Sequence, residues 1–192
     1  MGEGDEEMKK AVMMSTHPRW CCLIENEEKK IEIRRTAPLL KPPFVVYLYC
    51  TKNHDAYDLL QLHDYGAGKW LTQNSRVVGA FLCDKIECVK GLPDIPWSDP
   101  NGERELRVCK DSCLTFDEIA KYGEGSNLWA WHISDLKIYD KPKALSEFRH
   151  FVKCNACKSG YEAAACLYDE KCLVPARLTR PPQSWCYIES LE

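Results

Sequence analysis

The sequence predicts an α+β fold, in which about six strands form a mixed β sheet or small pseudo-barrel with short helices. Most strand-like segments are joined by loops rather than by helices, and this pattern excludes a doubly wound parallel sheet. The chain has 192 residues, of which 45% are hydrophobic and 29% charged, values typical of a globular protein. We therefore expect one medium-sized core, interrupted by a cysteine-rich insertion.

The chain begins with an acidic segment, residues 1–10, that we expect to be a mobile tail. The main domain, residues 11–150, should start with a strand at Ala11. A helix should follow in the segment PRWCCLIE, because Pro18 is tolerated in a first turn and the apolar residues form a stripe.

The next strand, in the segment EEKKIEIRRTAP, carries the most informative pattern of the chain. Ile31 and Ile33 alternate with Lys30, Glu32 and Arg34 at the two-residue period of a strand. We expect the two isoleucines to face a core and the three charged residues to face outward. An ordered set of cation, anion and cation on one strand edge suits a pocket for a polar planar group or a phosphate.

Two apolar strands should follow this charged one. The segment FVVYLYC, residues 44–50, is apolar throughout, as in a central strand that is covered on both faces. A polar segment over residues 51–74 should be a long loop with one helical piece. Residues 76–87 return to strand, and Gly79 within them predicts a bulge or bend.

The last elements of the domain have clear boundary signals. Thr115 as N-cap, Glu118 three residues later and a terminal Gly123 predict a short helix. Residues 127–139 should form another strand. Residues 174–192, which contain the segment PPQSWCYIESL, should supply the closing strand.

Four of the twelve cysteines lie in an insertion, residues 151–173, that lacks the periodicity of strands. Their spacing is C-x2-C, an eight-residue gap and C-x5-C, which predicts a structural Zn(II) site held by four thiolates. The alternative is a set of reduced, partly buried thiols. The predicted metal ligands are Cys154, Cys157, Cys166 and Cys172.

The net charge and the absence of several motifs restrict the range of functions that the chain could have. A formal net charge of −3 disfavours bulk coating of nucleic acid, so any nucleic-acid site should be local. The sequence has no apolar segment of signal-peptide or membrane-span type, which predicts a cytoplasmic protein without a membrane partner. It also lacks phosphate-binding and dinucleotide-binding glycine motifs, and we expect no nucleotide cofactor.

The elements and residues together resemble the ASCH domain, a PUA-like fold. The family signature G-x-K-x-x-E-x-R matches at Lys29, Glu32 and Arg34, whereas Glu27 stands where the family usually has glycine. Further likeness lies in the segments YLYCTK, VVGAFLCDKIE, WHISDLKIYDKPKALSEF and RPPQSWCYIE. The resemblance covers residues 11–148 and 178–191, and the combination is similar to ASCH proteins of phages and prophages of Gram-positive bacteria.

The resemblance implies a pseudo-barrel with a cleft beside the signature strand, where related folds bind RNA or a flipped, modified base. Family members include an amidohydrolase that removes an N4-acyl group from cytidine, and ribonuclease-like proteins. The amidohydrolases resemble this chain at Lys29 but carry a nucleophilic threonine at the position of Glu32. Glu32 could instead serve as a general base, with Lys29 as stabiliser and Arg34 holding a phosphate. The alternative is an ion pair of Glu32 with Lys30 or Arg34 on a solvated strand.

Other side chains could complete such a cleft. Trp20 and Trp131 are candidates for stacking on a base, although aromatic side chains more often belong to a core. Thr51 and Lys52, directly after the apolar strand, are secondary candidates for the pocket. No cysteine pairs with a histidine in a recognisable catalytic motif, and we expect no catalytic thiol.

Three functional hypotheses follow from the sequence. The first is a binding module that recognises RNA, a modified base or a nucleotide-like molecule through Lys29, Glu32 and Arg34. The second is a hydrolase of N-acylated nucleosides or RNA, with Lys29 and Glu32 as the catalytic residues. The third is a phage-encoded interaction protein whose cysteine-rich insertion contacts a host protein.

Overall fold

The computed structural model describes residues 10–52, 74–90, 103–153 and 173–191. Within these ranges eight strands form one mixed sheet, instead of the expected six or so. The strands are β1 (Lys10–Thr16), β2 (Ile31–Arg34), β3 (Phe44–Cys50), β4 (Arg76–Lys90), β5 (Asn127–Lys143), β6 (Arg149–Lys153), β7 (Leu173–Arg177) and β8 (Trp185–Glu189).

Three α-helices and one short 3₁₀ helix accompany the sheet in the described part of the chain. The helices are α1 (Pro18–Glu25), α2 (Glu103–Ser112), α3 (Phe116–Gly123) and the 3₁₀ turn Leu145–Glu147. As predicted, Pro18 opens α1 in its first turn. The predicted capping box of α3 is also present, since Thr115 and Glu118 exchange hydrogen bonds. None of the described helices is long and apolar enough to span a membrane.

The strands follow the order β2-β5-β4-β3-β1-β8-β6-β7, so β2 and β7 are the two edges of the sheet. The neighbours β1 and β3 run parallel, and the other paired strands run antiparallel. Pro175 lies in β7, where a missing N–H costs no hydrogen bond to a further strand. The fold class is the predicted α+β arrangement around a mixed pseudo-barrel sheet.

The two extra strands correct the expectation for residues 151–173. Residues 151–153 continue β6 and residue 173 begins β7, and Phe151 pairs with Pro175 across them. Each strand has five residues, too few to show a clear period beside the cysteine-rich stretch. The predicted acidic tail, the helical piece within the loop of residues 51–74 and the four predicted zinc ligands lie outside the described residues.

Gly79 marks the predicted irregularity of β4. The register of β4 shifts between Val77 and Gly79 against both neighbouring strands. A Cβ atom at Gly79 would lie only 2.5 Å from the carbonyl oxygen of Lys137. Glycine is therefore required where β4 and β5 approach closely.

The sheet is covered on both faces. Along β1, Val12 and Met14 belong to one buried cluster, together with the α1 residues Cys21 and Ile24. The alternate β1 residues, such as Met13, belong to a second cluster on the opposite face. The central strand β3 is likewise buried on both faces, as its continuous apolar sequence predicted.

A third buried cluster lies between helices α2 and α3 and the strands β2, β4 and β5. Ile31 and Ile33 of β2 pack there against Val108 of α2 and Ile119 of α3. The isoleucines therefore face a core, as expected. Because that core lies between β2 and the helices, the alternate residues Glu32 and Arg34 must point to the opposite face of the sheet.

Candidate functional site

The charged face of β2 points toward the main core, not toward solvent. Glu32 pairs with Trp131 across β2 and β5, and Arg34 pairs with Trp129. Residues directly opposite in an antiparallel pair share one face, so both charged side chains lie on the face of Trp131. Glu32 is 6% exposed and Arg34 8% exposed. The expectation that Glu32 and Arg34 face outward was wrong, because α2 and α3 occupy the other face of β2. Of the three charged residues expected to face outward, only Lys30 is exposed.

A cavity of about 280 Å³ opens above these residues, where the end of β1 and the start of α1 meet β2 and the α2–α3 connection. We call it the Glu32 pocket. Its principal polar and aromatic lining residues are Thr16, Trp20, Lys29, Glu32, Arg34 and Tyr122. Four residues predicted from the sequence, Trp20, Lys29, Glu32 and Arg34, therefore meet in one cavity.

The three signature side chains form a buried ion network. Lys29 Nζ lies 3.3 Å from Glu32 Oε2, and Arg34 Nε lies 3.1 Å from Glu32 Oε1. Lys29 is only 2% exposed. Glu32 thus forms ion pairs with Lys29 and Arg34 in a buried position. The alternative considered from the sequence was an ion pair with Lys30 or Arg34 on a solvated strand. A buried network has to offset the desolvation of three charges, which is a far larger cost than on a surface.

Lys29 is held by the end of helix α2. Its Nζ donates a hydrogen bond of 2.6 Å to the carbonyl oxygen of Ser112, the last residue of that helix. The last carbonyls of a helix lack intrahelical partners and carry partial negative charge, so they suit an ammonium group. The ring centroid of Trp20 lies 4.8 Å from the same Nζ, within range of a cation–π interaction.

Arg34 connects the edge strand β2 to the end of β1, although the two strands are not paired. Its Nη2 donates to the carbonyl oxygen of Ser15 at 2.7 Å and to Thr16 Oγ1 at 3.2 Å. Its Nη1 donates to Ser184 Oγ at 3.4 Å. The guanidinium therefore closes this end of the pseudo-barrel while one side of it lines the pocket.

Two atoms of the network keep unused hydrogen-bonding capacity. Glu32 Oε2 and Arg34 Nε are buried and have ion-pair contacts, but neither has a hydrogen-bond partner among the described residues. Buried polar atoms are nearly always hydrogen-bonded in native proteins. An acceptor of this kind in a cavity wall can receive an N–H group from a ligand.

Trp20 is half-buried at the rim of the pocket, on helix α1. The guanidinium carbon of Arg19 lies 4.8 Å from its ring centroid, the same distance as Lys29 Nζ. Contacts with two cations hold the indole in place beside the cavity. Trp20 therefore lines the pocket as an aromatic residue held beside two cations.

Trp131 does not serve as a stacking residue, in contrast to the sequence-based expectation. It is fully buried, and its ring contacts Phe44 and Trp185 with centroid distances of 5.9 and 5.8 Å. Although Trp131 lies beside Glu32 in the sheet, the neighbouring rings enclose it. The physical reason is its inward orientation on a sheet covered by α1, which gives it a core role.

Thr51 and Lys52 lie next to the pocket but do not line its described part. The Thr51 N–H donates to the carbonyl oxygen of Thr16 at 2.9 Å, so the end of β3 lies behind the pocket wall. Thr51 is half-buried and Lys52 is exposed. Their proposed contact with a ligand remains a prediction.

Two thiols near the pocket, the buried Cys21 and the partly buried Cys113, have raised pKa values. Burial, together with the neighbouring Cys50 thiol, raises the pKa of Cys21 well above its usual value. Burial also raises the pKa of Cys113, despite the nearby Lys29 ammonium. Because the thiolate is the reactive form, the raised pKa values make both thiols weak nucleophiles near neutral pH.

The zinc hypothesis concerns a part of the chain outside the described residues. Cys154, Cys157, Cys166 and Cys172 all lie there, and so does most of the insertion proposed to contact a host protein. In the described ranges, no group of three or more potential ligands is placed to hold a metal ion. Structural Zn(II) stays a prediction that rests on the cysteine spacing.

The sequence analysis missed several parts of the pocket. Ser112, Leu114 and Tyr122 contribute from α2, α3 and their connection, more than 75 positions after Lys29 in the chain. Thr16 and Ser15 contribute from the end of β1. The capping box of α3 correctly located a helix, but nothing in its sequence indicates which strand that helix covers.

The fold resembles that of solved structures. An ASCH protein from Zymomonas mobilis matches with a TM-score of 0.53 over 92% of this chain and 86% of that chain, at 16% sequence identity. The chain has an ASCH fold. A single-substitution variant of the same Zymomonas mobilis protein matches with a TM-score of 0.54 over 94% of this chain and 89% of that chain, at 15% identity. The ASCH fold expected from the signature strand is thereby confirmed.

No protein-family model matches the sequence, and no curated protein matches it significantly. At 15 to 16% identity, a structural match establishes the ASCH fold and not the chemistry of a site. The function of this ASCH fold therefore depends on the chemistry of the Glu32 pocket.

Proposed function

We propose that the protein is a binding module that recognises RNA through a single unstacked base, or a modified base or nucleotide-like molecule, in the Glu32 pocket. The observation that carries the proposal is the buried Glu32 carboxylate, which lines the cavity and whose Oε2 has an ion-pair contact with Lys29 but no hydrogen-bond partner among the described residues. An exocyclic amine of a base is a donor that such an oxygen can accept. The ASCH fold supports the same class of ligand, but only by analogy.

The size of the pocket favours a small planar ligand. Its volume of about 280 Å³ is at the lower end of ligand sites, which are on the order of 300 to 1,000 Å³. This space suits one base or nucleoside and excludes a duplex. Sequence-specific recognition of RNA commonly uses such unstacked bases, which stack on aromatic side chains. Trp20 supplies the aromatic face in this proposal.

The remaining donors suit the oxygens of the same ligand. Lys29 has three N–H donors, of which one bonds to Ser112, while its contact with Glu32 Oε2 is an ion pair. Arg34 has five, of which three bond to Ser15, Thr16 and Ser184, while its Nε contacts Glu32 Oε1 as an ion pair. Counting the hydrogen bonds of the described residues, each cation keeps donors for a carbonyl or phosphate oxygen. The Glu32 acceptor beside the Lys29 and Arg34 donors matches the edge of a base that carries an amine next to a carbonyl oxygen.

The experiment is a titration of the protein with nucleosides, nucleoside monophosphates and N4-acetylcytidine by isothermal calorimetry. Glu32→Gln keeps the size of the side chain and removes its charge. We expect it to weaken binding about 5- to 150-fold, which corresponds to about 1 to 3 kcal/mol for one specific base interaction. Glu28→Gln, at an exposed carboxylate in the preceding loop, is the matched control and should bind like the parent protein.

Unchanged binding in Glu32→Gln would refute the proposal. Hydrolysis of the N-acyl group or of RNA, detected by chromatography of the same mixtures, is the other outcome to test. If product forms and disappears in both Lys29→Ala and Glu32→Gln while ligand still binds, the pocket is an enzyme site rather than a recognition site.

A further inference from the structure

The Glu32 pocket lies at an edge of the sheet, where helices reach it from both faces. Its strand β2 is an edge strand of the described sheet. Helix α1 covers the face of Glu32, and helix α3 covers the face of Ile33, against which its residue Ile119 packs. Each helix contributes one aromatic residue to the lining of the pocket, Trp20 from α1 and Tyr122 from α3.

Tyr122 is the aromatic lining residue that has no role in the proposed function. It lies four positions after Glu118, so the two side chains share one side of α3, and both line the pocket. The neighbouring residue Ile119 is 1% exposed and anchors the helix in the core beside β2. Tyr122 itself is 39% exposed. A ring that lines a cavity and also reaches water lies at the opening of that cavity.

Arg35 contacts the ring of Tyr122 without entering the pocket. Its guanidinium carbon lies 5.1 Å from the ring centroid, within range of a cation–π interaction. Arg35 is not among the residues that line the pocket. Its Nη2 lies 3.3 Å from Glu124 Oε2, at the residue that directly follows α3. The contact therefore orients the ring and does not fill the cavity.

The charged groups beside Tyr122 already have partners. Arg35 forms the ion pair with Glu124. Glu118 Oε2 accepts hydrogen bonds from the N–H and the Oγ1 of Thr115 at 2.7 and 3.0 Å, and these bonds lower the pKa of Glu118. An ionised carboxylate in the pocket wall repels an anion. Tyr122 and its surroundings therefore offer the ligand an aromatic surface and not a phosphate site.

The two aromatic residues of the pocket differ in how many cations contact each ring. Arg19 and Lys29 both lie 4.8 Å from the ring centroid of Trp20. In the part of the chain that the structure describes, Arg35 is the one cation placed in this way at Tyr122. A ring has two faces, so one face of Tyr122 carries no cation from these residues. Stacking on a base needs one such face.

We propose that Tyr122 is a base-stacking residue of the Glu32 pocket, an inference that rests on the proposed function. The base lies between Tyr122 of α3 and Trp20 of α1, with its polar edge at Glu32. Every base has a π-face, so stacking on Tyr122 contributes affinity for any planar base. The contacts of Glu32 depend on the groups at the edge of the base and distinguish one base from another.

The test is isothermal calorimetry of the whole chain with cytidine, uridine, adenosine, guanosine and their 5′-monophosphates. Tyr122→Ala should weaken binding about 5- to 150-fold, the effect of truncating an aromatic residue that stacks on one base. Tyr122→Phe keeps the ring and should bind like the parent protein. Tyr122→Leu keeps an apolar side chain but not the ring, and its affinity should fall with that of Tyr122→Ala.

The matched control is Phe116→Ala. Phe116 is the first residue of the same helix, is 42% exposed and is not among the lining residues of the pocket. A general weakening of α3 would affect both alanine variants, whereas loss of stacking affects only Tyr122→Ala. Binding of Tyr122→Ala that equals that of the parent, or an equal loss in Phe116→Ala, overturns the inference. If Tyr122→Ala does not fold, the comparison of Tyr122→Leu with Tyr122→Phe provides the test.

A comparison with Glu32→Gln separates this inference from the proposed function. If Glu32→Gln weakens binding and Tyr122→Ala does not, the inference fails and the proposed function survives. If the parent protein binds none of these nucleosides and monophosphates, both fail. If Tyr122→Leu binds as tightly as Tyr122→Phe, the side chain fills space without stacking, and the inference fails alone.

Discussion

The Glu32 pocket differs from a second charged group, the Glu87 cluster, in which Lys85, Arg104, Arg107 and His132 surround Glu87 of β4. Each surrounds one glutamate with cations and lies against helix α2. In the pocket the cations are buried with the carboxylate, whereas in the cluster only the carboxylate is covered. The two regions therefore differ mainly in how far water can reach the cations around each glutamate.

The energetic consequences should differ accordingly. Removing one partner from a buried network leaves uncompensated charges, which costs about 3 to 5 kcal/mol. Exposed ion pairs contribute about 0 to 1 kcal/mol because water screens them. Equivalent substitutions in the two regions therefore test whether burial is the difference that matters.

The largest expected effect is that of Glu32→Ala. It leaves Lys29 and Arg34 buried without their carboxylate and should lower the free energy of unfolding by about 3 to 5 kcal/mol. Glu87→Ala should lower it by at most about 1 kcal/mol. Urea denaturation of both variants measures the difference. Equal losses would contradict the comparison, and Glu32→Gln provides a milder variant if Glu32→Ala does not fold.

An intermediate effect is expected for Arg34→Lys. Lysine keeps the charge but cannot reach Ser15, Thr16 and Glu32 at once, since it lacks the planar fork of arginine. The free energy of unfolding should fall by about 2 kcal/mol, comparable to one or two charge-assisted hydrogen bonds. Arg107→Lys in the cluster should change stability by less than about 0.5 kcal/mol. If urea denaturation shows the two lysine variants to be equally stable, Arg34 does not close the pseudo-barrel.

The smallest expected effect is a pH dependence from Glu87. Its pKa in the folded protein lies below the usual 4.5, so the stabilisation is present above that value and is lost as the pH falls through the folded pKa. Glu87→Gln should therefore be slightly less stable than the parent at about pH 6, and the difference should shrink as the pH falls below the usual 4.5 through the folded pKa. Denaturation midpoints across this range measure the effect, and a constant difference at all pH values would count against it.

How much of the fold can be predicted from the sequence depends on how far apart the interacting residues lie along the chain. Local signals located α1, α3 and the strands β1 to β5 and β8, because alternation and capping depend on neighbours within a few positions. They did not locate α2, β6 or β7. The alternation in β2 also separated Ile31 from Glu32 correctly. It could not tell which face the helices cover, since that choice depends on residues such as Val108 and Ile119 much later in the chain.

The site was predictable in part for the same reason. Lys29, Glu32 and Arg34 are close in sequence, and a strand brings them together without help from distant parts of the chain. Ser112, which holds Lys29, lies 83 positions away and carries no local signal. Trp131 was assigned to the cleft because tryptophan suits both stacking and cores, and only packing against Phe44 and Trp185 distinguishes the two.

The short strand β2 has a further consequence for the behaviour of the protein in solution. An exposed sheet edge invites a strand from another molecule, and inward-pointing charges on the edge strand are one way in which proteins prevent this. Glu32 and Arg34 are such charges, and β2 has only four residues. At the opposite edge, Pro175 of β7 withholds an N–H group. The charges that line the pocket thus also make β2 a poor template for a strand of another molecule.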